Sequence, residues 1–148
     1  MNGNAEREAM LEAHGVHPTA VRLLVLGALE GMDTAFSLGD ACEALPTVDR
    51  STLFRTLQMF ADAHLLHTID DGSRQRKYCL CHNTHRCRPD ELHCHFHCLR
   101  CDHTFCLPTV NIPAVDIPEG FTVNESEYVL HGFCPRCRRA LSGNCLLY

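Results

Sequence analysis

The chain has 148 residues and a formal net charge of -5, with 11 Cys, 11 His, 7 Phe, 3 Tyr and no Trp. That length suits one ordinary domain or two small ones, and so little aromatic bulk leaves a small domain in need of metal or a partner. An odd number of thiols argues against a pure disulfide framework, and an acidic chain offers nucleic acid nothing unless its basic surface is local.

Taken in order, the first half reads as short helices. Residues 5–14 are amphipathic, carry charges at Glu6, Arg7, Glu8 and Glu12, and contain no apolar run suited to a signal peptide. A second helix is expected to start at Pro18 or Thr19, to present Leu23, Leu24, Leu26 and Leu29, and to stop at Gly31. Ser37 caps a third, over residues 37–45, and Pro46 lies beyond its end. A fourth begins near Asp49. Its apolar positions Leu53, Leu57 and Phe60 recur at helical spacing and leave Arg50, Thr52, Arg55 and Thr56 toward the other side.

The period then changes. LLHTI and RKYCL are strand candidates on either side of the turn-forming DDGS. Three helices followed by a two-stranded ribbon is the order of a winged helix-turn-helix. Residues 81–91 have no apolar periodicity and read as a linker. Beyond them strands are expected at residues 93–98, 104–107, 121–124 and 127–131, while Pro108, Pro113 and Pro118 discourage helix. The expected organisation is therefore α+β: residues 1–80 as a winged helix, 81–92 as linker and 93–148 as a second, metal-dependent domain. No stretch approaches the length of a membrane span. Clustered Cys and His without a leader place the chain in the reducing cytoplasm, where such clusters usually mean zinc.

Cys98-Leu-Arg-Cys101 and Cys134-Pro-Arg-Cys137 supply the four thiolates of a closed tetrahedral zinc site. The competing reading, two independent redox dithiols, asks for a pair placed after a strand and before a helix, which the expected elements do not provide. In HCHFHCLRC, residues 93–101, strand alternation sends His93, His95 and His97 to one face and Cys94, Phe96 and Cys98 to the other. His93 and His95 therefore need a second ion. Cys87 in the linker and Cys106 in the next strand complete a two-Cys, two-His set whose soft ligands favour zinc over ferrous iron or manganese. Cys79, Cys81, His82 and His85 compete for the linker position. His97, His103 and His131 are read as ordinary histidines, and Cys94 as packed beside Phe96.

Together, HCHFHCLRC, the later GFCPRC and the upstream DRSTLFRTLQMFADAHLLHTI resemble the ferric-uptake-regulator family of metal-responsive repressors, over about residues 19–137. The resemblance implies a winged helix joined to an α/β dimerisation domain that binds DNA as a homodimer when a regulatory metal is present. It assigns Cys98, Cys101, Cys134 and Cys137 to a structural zinc. It places His93, His95, Cys87 and Cys106 at a regulatory site between the domains, and Thr52, Phe54 and Arg55 on the recognition helix. Thiolate at Cys106, where many relatives carry a carboxylate, points to the zinc-uptake branch. Phe54 replaces a usual Tyr, His17 an Arg, and the region of Ala35 lacks a common His. Two zinc ions per chain are expected, with Arg50, Arg55, Arg74, Arg76 and Lys77 toward phosphates or bases, and Thr52 and Phe54 at base edges of double-stranded operator DNA. Alternatives are an iron- or peroxide-responsive regulator or a zinc-built interaction module. A catalytic zinc would need an open position and a general base, and no Glu lies within the ligand run.

Overall fold

In the computed structural model, the described residues are 3–32, 34–80, 94–107, 110, 112–113, 115–123 and 127–142. They fall in two units, Met1–Arg88 and Pro89–Tyr148.

The first unit opens with α1 (Gly3–Ala13) and α2 (Ala20–Glu30). Thr19 caps α2 by accepting the Arg22 amide, and the Gly31 amide returns to the carbonyls of Ala28 and Leu29. The two-residue strand β1 (Phe36–Ser37) leads directly into α3 (Leu38–Ala44). Here Ser37 and Asp40 form a reciprocal capping box, with the Asp40 amide on the Ser37 hydroxyl at 3.1 Å and the Ser37 amide on the carboxylate at 2.9 Å. Asp49 caps α4 (Arg50–Asp62). The ribbon is β2 (Leu66–Ile69) and β3 (Lys77–Leu80), and the sheet order β1-β3-β2 makes β3 its central strand.

Four helices and this sheet enclose an apolar core that includes Leu11, Val25, Leu26, Leu29, Ala41, Leu53, Leu57 and Phe60, all fully buried. This is the winged helix-turn-helix order that the sequence leads one to expect. Two details differ. Thr56 turns inward rather than outward, because its hydroxyl donates to the Thr52 carbonyl at 2.8 Å and its methyl can then face the core. Leu24 is half exposed on the outer face of α2, so the apolar stripe is narrower than the run of leucines suggests.

The second unit is a three-stranded sheet of order β5-β4-β6, followed by a helix. β4 (Cys94–Cys98) lies centrally, antiparallel to β5 (Thr104–Leu107) and parallel to β6 (Tyr128–Gly132). The expected strand at 121–124 is absent from residues 121–123, which are exposed and irregular; residue 124 lies outside the described residues. Helix α5 (Pro135–Ser142) was not anticipated, although Pro135 occupies its first position, where a missing amide hydrogen does no harm. No described helix is long and apolar enough to cross a membrane.

Candidate metal centres

Four thiols converge where β4, β6 and α5 meet. Cys98 ends β4, Cys101 closes the turn after it, Cys134 precedes α5, and Cys137 lies in the first turn of that helix. Their sulfur atoms all lie within 4.8 Å of one another, and the Cys101 and Cys134 sulfurs are 3.9 Å apart. Four sulfurs around one zinc, each bonded at about 2.3 Å, would be separated by roughly 3.8 Å, and a disulfide would need about 2.05 Å. The spacing and donor chemistry fit a tetrahedral zinc site.

Backbone hydrogen bonds build this arrangement. The Leu99 amide donates to the Gly132 carbonyl at 2.8 Å, the Asp102 amide to the Cys98 carbonyl at 2.9 Å, and the Arg138 amide to the Cys134 carbonyl at 2.8 Å. Gly132, beside Cys98, leaves room for the Phe96 ring, since a Cβ there would come within 3.1 Å of it and the ring would have to give by a few tenths of an ångström. The Cys134 amide also points at the Cys98 sulfur, 3.4 Å away.

Thiol acidity follows from these contacts. Burial alone would raise Cys98, but the amides of Cys101, Cys134 and Arg100 outweigh it and hold the thiol down to about 6. Burial, then sharing of protons with Cys134, Cys98 and Cys101, pushes Cys137 up to about 12. Cys101 is raised as well, first by burial. Without metal the contacts therefore favour thiolate at Cys98 and the protonated thiol at Cys101 and Cys137, and a zinc ion must displace those protons as it enters.

The second CxxC does follow a strand and open a helix, contrary to the sequence-based expectation. Convergence of all four sulfurs, rather than the absence of that context, is what argues against two separate redox dithiols.

The other expected ligand set is only partly described. His95 and Cys106 stand directly opposite each other in the β4–β5 register. The His95 ring is buried, and its Nε2 has no hydrogen-bond partner within the described structure. Leaving a buried imidazole nitrogen unpaired costs on the order of 1–3 kcal/mol unless something else binds it, so nitrogen and sulfur side by side fit half of a zinc site. Cys94, on the alternate side of the strand, is fully buried, and burial followed by the proximity of Cys106 pushes its thiol up. Cys87 and His93 lie outside the described residues, as do Cys81, His82 and His85. Cys79 is described within its own unit: it sits on β3, 7% exposed, with its sulfur 3.8 Å from the Leu80 carbonyl.

Of the residues expected at DNA, Arg50, Arg55, Arg74 and Arg76 are exposed, and Phe54 is 47% exposed. The Asp49 carboxylate accepts the Thr52 amide at 3.0 Å and its hydroxyl at 2.6 Å, which holds the Asp49 carboxyl below its ordinary range and fixes the start of α4. Thr52 therefore has its hydroxyl proton engaged and retains acceptor capacity only. Lys77 does not join the exposed cations. As the first residue of the central strand it turns inward, 5% exposed, and pairs with the buried Asp71 at 2.8 Å. Beside α4 an open groove is lined by His17, Arg22, Phe54, Arg55 and Met59, a surface on which cations flank apolar side chains.

No protein-family model matches the chain. A ferric uptake regulation protein of Synechococcus elongatus is 26% identical over 98 residues, and the match spans 63% of that relative's length. Among solved structures, a zinc uptake regulator complexed with zinc and DNA aligns with a TM-score of 0.68 at 21% identity, covering 96% of this chain and 99% of that one. The holo form of XcZur gives 0.65 at 16% identity, over 92% and 99% of the respective chains. The ferric uptake regulator of Vibrio cholerae gives 0.59 at 19% identity, over 86% and 98%. In fold along nearly its whole length, and in sequence along the curated match, the chain resembles the ferric uptake regulators, the zinc uptake regulator among them.

Proposed function

We propose that this chain is a zinc-responsive transcriptional repressor, acting as a homodimer on double-stranded operator DNA in the cytoplasm and carrying two zinc ions per chain. Cys98, Cys101, Cys134 and Cys137 hold a permanent structural ion. His95 and Cys106 contribute to a regulatory site completed by His93 and by a thiolate from residues nearer the N-terminus. Cys87 and Cys79 are the two candidates for that thiolate. Cys79 lies on a buried strand.

One observation carries the proposal: a buried His95 nitrogen without a hydrogen-bond partner, facing a thiol across paired strands. A borderline-soft donor pair of this kind favours zinc over ferrous iron or manganese, which prefer more oxygen. When bound, zinc supplies a cross-link between residues of the first and second units. His95 and Cys106 orient their end of that link from paired strands. Such a link represses transcription only if the DNA-competent arrangement binds zinc more tightly than the alternatives. A switch from mostly off to mostly on needs about 5.5 kcal/mol of that preference. Arg50, Arg55, Arg74 and Arg76 supply phosphate and base contacts, with Phe54 against base edges.

Zinc content and DNA binding, measured on the same samples with and without added zinc, test this. The wild type is expected to hold two ions per chain and to bind operator fragments only when both are present. His95→Ala and Cys106→Ser should each lose one ion and the zinc-dependent affinity while keeping their helix content. Cys79→Ser and Cys87→Ser, compared side by side, identify the thiolate. Undiminished zinc-dependent binding in both His95→Ala and Cys106→Ser would overturn the assignment, and tight activation by ferrous iron but not zinc would overturn the choice of metal.

A further inference from the structure

Next to the four-thiol cluster lies a side-chain arrangement that neither zinc site uses. His97 on β4 and His131 on β6 are register partners in the parallel pair, and their Nδ1 atoms are 3.3 Å apart with the rings at 89°. His97 is 7% exposed, whereas His131 is exposed at the edge strand. On its far side His97 Nε2 lies 2.6 Å from Asp102 Oδ1. Asp102 is the residue after Cys101, in a left-handed conformation with φ of 62°, and its amide is tied to the Cys98 carbonyl. The turn around the thiols thus aims a carboxylate at the imidazole.

We propose that His97 and His131 form a third, weaker metal site, at which both Nδ1 atoms ligate one divalent zinc-like ion, Asp102 orients His97, and water fills the remaining positions. The carboxylate fixes the tautomer: Nε2 of neutral His97 carries the proton and donates it to Asp102, so Nδ1 presents a lone pair toward His131. A carboxylate behind a ligating histidine is the usual outer support of a zinc-bound imidazole, and it raises the basicity of the ligating nitrogen. The spacing agrees. Two nitrogens each about 2.05 Å from a tetrahedral zinc are separated by roughly 3.4 Å, close to the 3.3 Å between these two Nδ1 atoms.

Without metal, His131 Nδ1–H donates to His97 Nδ1. Binding requires the His131 Nδ1 proton to move by way of solvent to the outer Nε2, which frees Nδ1 for the ion. With two protein ligands, the site is the most readily emptied of the three. His97, read from the sequence as an ordinary histidine, is distinguished by its bond to the largely exposed Asp102 carboxylate and by the register that brings His131 beside it.

Calorimetric titration with zinc tests the site, starting from full-length protein already carrying its tightly bound ions. The wild type is expected to take up one further ion per chain. His131→Ala, an exposed substitution, should abolish that uptake, Asp102→Asn should weaken it by about 10–100-fold, and His103→Ala should leave it unchanged. Tightly bound zinc, measured by elemental analysis, should be the same in all four proteins. A change confined to the His95 and Cys106 variants therefore reports on the regulatory site and leaves this one intact. Equal weak uptake by wild type and His131→Ala would show that the pair is a hydrogen bond alone and would overturn the site.

Discussion

The two units are held together by different means. Among the described residues, the first encloses fifteen buried side chains, all of them aliphatic or aromatic, including Phe60 and Leu57. The second has, at its four-cysteine end, a buried cluster of Cys98, Cys134 and Cys137, with Cys101, Phe105 and Phe133 the described residues packed against it. A cluster whose centre is sulfur contributes little by exclusion of water, and in this arrangement zinc binding becomes part of the folding free energy. On the proposed reading a structural metal stands in where apolar volume runs short, and the first unit is expected to fold without it.

The sharpest way to break that contrast is Cys98→Ser. Structural zinc in small domains is worth on the order of 10 kcal/mol, so losing one thiolate should unfold the second unit. Circular dichroism and limited proteolysis should show the first unit intact. Asp71→Ala attacks the other unit. It leaves Lys77 buried without its carboxylate and should cost about 3–5 kcal/mol of the first unit's stability in urea, with no change in zinc content. Replacing Lys77 and Asp71 together by apolar residues of similar volume should recover most of the loss. Smaller again is Ser37→Ala, which removes one half of the α3 capping box and should cost about 1 kcal/mol, again independent of zinc. Zinc-dependent loss in either of the last two would blur the division between the units.

Much of the first unit was legible because its signals are local. Thr19, Ser37 and Asp49 begin helices and Gly31 ends one, each through a hydrogen bond between residues close in sequence. The reading failed where a tertiary neighbour decides. Lys77 looks like a solvent-facing cation until β1 pairs with β3 and encloses it. Thr56 looks polar until its hydroxyl is spent on the helix backbone. In the second unit the thiols of CLRC and CPRC were conspicuous, whereas α5 was missed because it is short and rich in arginine, although Cys137, Ala140 and Leu141 recur at helical spacing behind Pro135. The proposed regulatory set divides in the same way: the pairing of His95 with Cys106 rests on strand alternation and register, while a ligand contributed from another part of the chain leaves no mark in local spacing.

Graded removal of zinc from the full-length protein by a series of chelators, with DNA affinity and far-ultraviolet circular dichroism followed in parallel, tests the central claim most directly. The account predicts that one tightly held ion leaves early and takes the operator affinity with it, with helix and strand content unchanged, and that the four-cysteine ion leaves only under stronger chelation, when the second unit unfolds. A single cooperative release in which both ions, the DNA affinity and the second unit's structure disappear together would contradict it, as would operator binding indifferent to the first ion.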